Sequence, residues 1–180
     1  MAHLTCSSCG TDFALTEAVW RCTCGGLLDI VHTPKLDPAA LAQLPPTLWR
    51  YRDAMALAPN AQPVTMGEGF TPLLPIQLER VRFLAKLDQI FPTGSFKDRG
   101  ATALVTQMAA LRVRIAVEDS SGNAGCAIAA YAARAGIRCD IYVPASNAPA
   151  KLAQIGAYGA RLHQVPGTRQ DTADAGSSSC

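Results

Sequence analysis

Residues 113–143 read VRIAVEDSSGNAGCAIAAYAARAGIRCDIYV, and the fold follows from how this run divides. VRIAV at 113–117 and CDIYV at 139–143 have the length and apolar character of buried strands. Between them lies an Ala-rich segment, helical from Ala124, whose small side chains let it pack closely on a sheet. A strand, a helix and a strand in succession place the two strands parallel. Working outward, the same alternation continues with an apolar run FLAKL at 83–87, a helix reaching about Leu111, a helix near 149–158 and a strand RLHQV at 161–165. The expected architecture is α/β, a parallel sheet with helices on both faces. Leu104, Val105, Met108 and Leu111 fall on one side of the first helix and are expected in the core, as is Tyr131 in the second. The tail TADAGSSSC at 172–180 interrupts the pattern where a further helix should begin, which suggests that the sequence stops within a domain.

Upstream the chemistry changes. Of seven cysteines, four crowd into Cys6-x-x-Cys9 and Cys22-x-Cys24, each pair followed by glycine. Close pairs of this kind supply four thiolates to a tetrahedral zinc more readily than they form disulfides, and they imply a reducing compartment. Residues 1–30 are therefore expected to form a small zinc-ribbon-like module. It carries Arg21 against Asp12, Glu17 and Asp29, a net charge of −2 that repels nucleic-acid phosphates. Residues 31–66 are Pro-rich, a linker expected to lie on the unit that follows, with Asp37 and Pro38 starting a short helix over AALAQL. Residues 67–180 then hold the α/β unit.

Composition narrows the class further. Charged residues make up 17% of the 180, and sixteen Lys and Arg against fourteen Asp and Glu leave a formal charge of +2 without any basic block. Nothing in this balance calls for nucleic acid. No run approaches the roughly 18 apolar residues of a membrane span, and MAHLTCSSCG lacks the charge and apolar stretch of a signal peptide. A cytoplasmic protein is the expectation.

Two segments carry candidate chemistry. In PTGSFKDRG at 92–100, Ser95 and Asp98 have capping-box spacing, which puts Lys97 in the first turn of a helix. A cation at that end opposes the helix dipole, and burial beside a sheet would also favour a neutral, nucleophilic amine suited to carbonyl chemistry. A lysine extended to solvent satisfies the same nine residues. EDSSGNAG at 118–125 follows a strand and opens a helix, so its amides form an anion cradle, for a phosphate or a carboxylate, or else a turn capped by Ser120, Ser121 or Asn123.

Together GEGFTPL at 67–73, PTGSFKDRG, EDSSGNAG and PAKLAQIGAYGA at 149–160 resemble the threonine synthases, of the tryptophan-synthase-β-like, fold type II group of pyridoxal-phosphate enzymes. The cysteine segment ending WRCTCGGLLD is similar to an N-terminal extension found in many members. The resemblance implies that Lys97 holds pyridoxal phosphate covalently and moves protons once substrate takes its place. It implies that Asn123 bonds the cofactor's phenolic oxygen and that Ser120, Ser121 and Gly122 cradle a substrate carboxylate. The implied reaction converts O-phosphohomoserine and water to threonine and phosphate, on a small amino-acid substrate, in a homodimer when full length. Two departures stand out. The family usually has Asn before PTGSFKDRG, where this chain has Phe91, and its glycine-rich cradle for the cofactor phosphate belongs to a C-terminal half beyond these residues, so that little turnover is expected of the 180 alone. Related dehydratases and β-replacement enzymes share the lysine and the loop. A binding or regulatory fragment without turnover is the reading from another class.

Overall fold

The computed structural model describes residues 2–147 and 149–179, and for residues 150 and 151 the backbone alone. Strands β1 (His3–Cys6), β2 (Asp12–Ala14) and β3 (Leu28–Val31) form an antiparallel sheet in the order β2-β1-β3. The chain then runs through α1 (Pro38–Gln43), where the Asp37 carboxylate accepts from Ala39 N at 2.9 Å, as Asp-Pro predicts. A 3-10 turn follows over Leu48–Ala54.

The segment before GEGFTPL hydrogen-bonds to a helix that follows it. Val64 N donates to Thr106 Oγ1 at 2.8 Å, Thr102 Oγ1 lies 2.7 Å from Val64 O, and Ala58 N donates to Gln107 Oε1 at 2.8 Å. Thr102, Thr106 and Gln107 all stand on α2 (Asp98–Ala110), which follows the hairpin described next.

FLAKL at 83–87 departs from expectation. Strand β4 (Leu73–Leu78) pairs antiparallel with β5 (Val81–Lys86) in a two-stranded sheet of its own, and β5 does not join the parallel sheet. The reason is local: only Glu79 and Arg80 separate two apolar runs, with Glu79 at φ 53° forming the tight turn, and a hairpin closes at less entropic cost than a distant parallel pairing. Every residue of β5 is exposed except the half-buried Ala85, so the apolar run is not a buried strand.

The parallel sheet holds β6 (Ile115–Glu118), β7 (Arg138–Pro144) and β8 (Arg161–Val165) in that order, joined through α3 (Asn123–Ala135) and α4 (Pro149–Ala157) and followed by α5 (Arg169–Ser177). Side chains alternate across β7. Cys139, Ile141 and Val143 share a buried cluster with Ala127, Tyr131, Leu152 and Ile155 of α3 and α4, while Tyr142 meets Ser179 just beyond α5 at 2.7 Å. Both faces are thus covered. The buried side of α2 is Ala101, Thr102, Val105 and Thr106, whereas Leu104, expected in the core from its spacing, is 51% exposed. The tail also differs: residues 172–177 continue the α5 helix, started by a capping box between Thr168 and Asp171. Cys180 lies outside the described residues.

Candidate active site

Lys97 caps α2 with helical backbone angles, and its carbonyl accepts from Ala101 N at 3.0 Å. It therefore stands at the helix entrance, one step before the first turn expected for it. The predicted Ser95 to Asp98 capping box does not form. Asp98 is fully buried and turns back instead, accepting from Thr93 N at 2.9 Å and from the Thr93 hydroxyl, while Ser95 Oγ accepts from Lys97 N at 3.3 Å. This bonding ties Thr93 to Asp98 and holds the turn shut beneath Lys97. Gln154 of α4 also donates to Thr93 O at 3.1 Å.

The Lys97 side chain is exposed, not buried, and its ammonium sits 5.0 Å from the centre of the Phe96 ring. Among the described residues it forms no ion pair. Its charge does reach Glu118 at the end of β6, where burial raises the carboxyl above its ordinary range, Asp119 adds to the rise, and Arg169 and Lys97 offset part of it. The charge on Lys97 is thus felt at Glu118, which opens the 118–125 loop at the carboxyl end of β6.

In that loop Gly122 caps α3 and Asn123 is its first residue, both exposed, with Ser120 and Ser121 half-buried. Ser120 Oγ accepts from Gly122 N at 3.3 Å, so this hydroxyl already closes the turn. The first amides of α3 have no acceptor in a preceding helical turn and favour negative charge. Gly125 sets the loop's shape: a Cβ there would lie 1.8 Å from Ser120 O, and only glycine allows the helix to approach its own entry strand this closely. Arg169 braces the far side, pairing with the Asp119 carboxylate at 3.1 Å. A cleft of about 210 Å³ at this point is lined by Val117, Glu118, Asp119, Ala173 and Trp20, the last from the N-terminal segment. A wider cavity of about 460 Å³, between β3 and the linker at Val31, His32, Thr33 and Asp53, includes none of the candidate residues.

Sequence reasoning missed the residue that joins these parts. Glu68 is 1% exposed, and its carboxylate accepts from Trp49 Nε1 (2.9 Å), Thr65 Oγ1 (3.0 Å), Met66 N (2.8 Å), Thr102 Oγ1 (2.7 Å) and Tyr131 OH (2.9 Å). Burial alone would raise its pKa, but the donated bonds, Met66 N–H first and then Thr102, outweigh it and leave the group below the usual carboxylate range. A charge flanked by two glycines in GEGFTPL was the available signal. Phe91, singled out in the sequence as a departure, is buried under the Arg99 guanidinium, 4.7 Å from the ring centre, and Arg99 forks onto Asp88 at 2.9 and 3.0 Å. An aromatic ring at 91 thus serves as a platform for that ion pair.

The four cysteines of the N-terminal sheet do meet. Cys6 and Cys24 sulfurs are 3.6 Å apart, Cys9 and Cys22 3.6 Å, and Cys9 and Cys24 3.5 Å. The Thr11 hydroxyl holds the Cys9 thiol at about 6. Cys24 is lowered by the Gly26 amide but raised more by its three sulfur neighbours, to about 12.

Fold, lysine and loop together define a pyridoxal-phosphate-dependent enzyme domain of the α/β kind. Residues 64–178 match the family model described as pyridoxal-phosphate dependent enzyme, and the chain belongs to that family. It is 35% identical to threonine synthases of Methanocaldococcus jannaschii, over 94% of this chain, and Methanosarcina acetivorans, over 95%, and 40% identical to that of Mycobacterium leprae over 71%. The chain spans 44% of the length of each archaeal relative and 37% of the mycobacterial one. Among solved structures, serine racemase of Dictyostelium discoideum superposes with TM-score 0.53 at 26% identity, over 60% of this chain and 37% of that one. O-ureido-L-serine synthase does so at 0.50 and 31%, over 54% and 33%. No helix among the described residues is long and apolar enough to cross a membrane.

Pyridoxal phosphate is the cofactor of this family, and the residues present suit it. The Lys97 amine is exposed with no ion-pair partner among the described residues, and the α3 entrance offers amides beside a backbone approach that a Cβ at Gly125 would block.

Proposed function

We propose that this chain forms the lysine-bearing portion of a threonine synthase, acting on O-phosphohomoserine and water to yield threonine and phosphate. The observation that carries the reading is the extent of the likeness: the match to archaeal threonine synthases runs through the cysteine-bearing sheet, the linker and the α/β unit alike. On this reading residues 1–30, 31–66 and 67–180 are an accessory module, a linker and the cofactor-binding unit.

Lys97 would hold the cofactor, Asn123 would bond its phenolic oxygen, and Ser120, Ser121 and Gly122 would receive the substrate carboxylate at the positive end of α3. When bound, pyridoxal phosphate supplies the electron sink that makes carbon-bound protons of an amino acid removable. The protein's part is orientation and proton transfer. Lys97, at the mouth of α2, would take up a proton on its amine and return it at a neighbouring carbon. Ser120 is already engaged with Gly122, so the carboxylate would meet backbone amides and the Ser121 hydroxyl first.

Likeness to O-ureido-L-serine synthase favours a second reading, β-replacement on a serine derivative. The test has two stages. Pyridoxal phosphate added to the protein should give the visible absorption of a lysine-bound cofactor, and Lys97→Ala should abolish it. Phosphate should then be released from O-phosphohomoserine by the protein carrying this segment. A cofactor band without phosphate release, together with turnover of O-acetylserine, selects the second reading. Absence of the band in a folded protein overturns both and leaves a binding or regulatory role.

A further inference from the structure

The N-terminal sheet cannot be explained by its own packing. Among the described residues before Leu28, only Cys6, Leu15 and Cys22 appear as buried apolar side chains, at 2%, 9% and 4% exposure, and two of the three are cysteines. Trp20, Leu27, Ile30 and Val31 are all exposed. Units below about 40 residues rarely hold together without a metal or a covalent staple, because their surface outgrows the core. This one has three strands of three or four residues and almost no core.

What the sheet does have is a sulfur cluster. Cys6, Cys9, Cys22 and Cys24 come from two turns that face each other across the sheet, and their four sulfurs lie within 4.8 Å of one another. Three of the separations are 3.5 to 3.6 Å. A regular tetrahedron with metal–sulfur bonds of about 2.3 Å has edges of about 3.8 Å, so these sulfurs are already at ligand spacing. Disulfide sulfurs would be about 2.04 Å apart. The surrounding backbone is shaped to the sulfurs as well. Ser8 N donates to Cys6 Sγ at 3.4 Å, and at Gly26 a Cβ would fall 2.6 Å from that same sulfur, so the second turn can close over the first only with glycine there.

We propose that Cys6, Cys9, Cys22 and Cys24 bind one zinc ion as a closed tetrathiolate and that this ion seats the N-terminal sheet on α2. Zinc takes the place of the missing core without bringing redox chemistry, and four sulfurs leave no open position for a reaction. The seat is a single side chain: Gln107 of α2 donates to Leu15 O at 2.6 Å while its carbonyl accepts from Ala58 N, joining sheet, linker and helix. Leu15 sits between the two cysteine turns, immediately after β2. Metal occupancy therefore sets the position of residues packed against the same helix that carries Lys97, and the proposal stands independently of which amino acid the enzyme uses.

The test is metal analysis of the reduced, purified protein, with one zinc per chain expected. Cobalt(II) in its place should show the intense visible bands and sulfur charge-transfer absorption of tetrahedral tetrathiolate ligation. Cys22→Ser with Cys24→Ser should lower zinc to below about a tenth of stoichiometric. Because that variant can unfold the module, Gln107→Ala provides the second arm: it should retain zinc fully, yet raise amide exchange over residues 12–16 as zinc removal from the unmutated protein by a chelator does. Iron instead of zinc, a folded reduced protein without metal, zinc unchanged in the double variant, or two disulfides found by mass spectrometry would each overturn the proposal, as would exchange over 12–16 that ignores zinc removal.

Discussion

Replacing Tyr131 with Phe removes one oxygen and leaves the ring in place, so it isolates a single bond to the buried Glu68 carboxylate. That bond is 2.9 Å long, donated to Oε2, and Tyr131 is fully buried. A hydrogen bond to a charged group contributes about 1.5–3 kcal/mol. Four other donors remain on Glu68, from Trp49, Thr65, Met66 and Thr102, so the carboxylate is weakened but not orphaned, and a cost of about 2 kcal/mol is expected. For a chain of this size that corresponds to a fall in Tm of about 4–8 °C. The pH dependence makes the reasoning specific. Glu68 has a depressed pKa in the folded protein, so its contribution is fully present above the ordinary glutamate range of about 4.3 and is lost as pH falls through the lower folded value. Tyr131→Phe reduces that depression. The gap between the two proteins should therefore be largest at neutral pH and narrow to about 1 kcal/mol, the worth of a bond to a neutral acid, once Glu68 is protonated. Urea unfolding at a series of pH values, followed by tryptophan fluorescence and circular dichroism, measures both quantities. A deficit below about 0.5 kcal/mol at neutral pH, or one that stays constant into acid, would refute the account of Glu68 as an ionised structural node.

Two substitutions probe the loop and the platform. Gly125→Ala puts a Cβ 1.8 Å from Ser120 O, so overpacking of about 1–3 kcal/mol and a sharp loss of pyridoxal-phosphate absorption are expected, while Gly122→Ala, whose Cβ would have nothing nearer than Ser120 Oγ at 3.9 Å, should change stability by under about 1 kcal/mol. Equal effects from the two would mean that the close approach at Gly125 does not shape the loop. Phe91→Asn should destabilise by about 3 kcal/mol, because it removes a buried ring under Arg99 and buries an amide in its place. An unchanged thermal midpoint would show that the ring is dispensable.

How much of this was legible in the sequence depended on whether the determining partner was near in the chain. RLHQV at 161–165 is β8 to the residue, and CDIYV sits within β7, because apolar runs between Gly-rich or polar turns carry their own signal. The short helix after Asp37 and the meeting of the cysteine pairs were equally local. FLAKL failed because an apolar strand gives no indication of its partner, and the tight turn at Glu79 and Arg80 captured it into a hairpin. Asp98 was assigned to Ser95 by spacing, yet it bonds Thr93, five residues back, since the turn at Gly94 brings that residue's amide and hydroxyl together. The partners of Glu68 were illegible for a different reason. Its five donors come from four separated stretches of chain, and only tertiary packing brings them to one carboxylate.

That convergence bears directly on the candidate site. Lys97 and the 120–125 loop keep their relative placement only if α2 and α3 do, and the core residues of the two helices, among them Ala101, Val105, Ala127 and Ile128, are small or apolar and specify no register. Glu68 supplies one. Its Oε1 takes the Thr102 hydroxyl, about 8 Å along α2 from Lys97, and its Oε2 takes the Tyr131 hydroxyl, about 12 Å along α3 from Asn123. A slip of either helix by one residue, about 1.5 Å, would break a charge-assisted bond in a site that excludes water. Trp49 and Thr65 bring the linker to the same carboxylate, and Gln107 brings the N-terminal sheet to α2 a little further on. On the proposed reading the lysine is thus positioned from behind: PTGSFKDRG provides the amine and the turn that presents it, whereas a buried glutamate from GEGFTPL holds the helix bearing that turn in register with the helix proposed to receive the substrate.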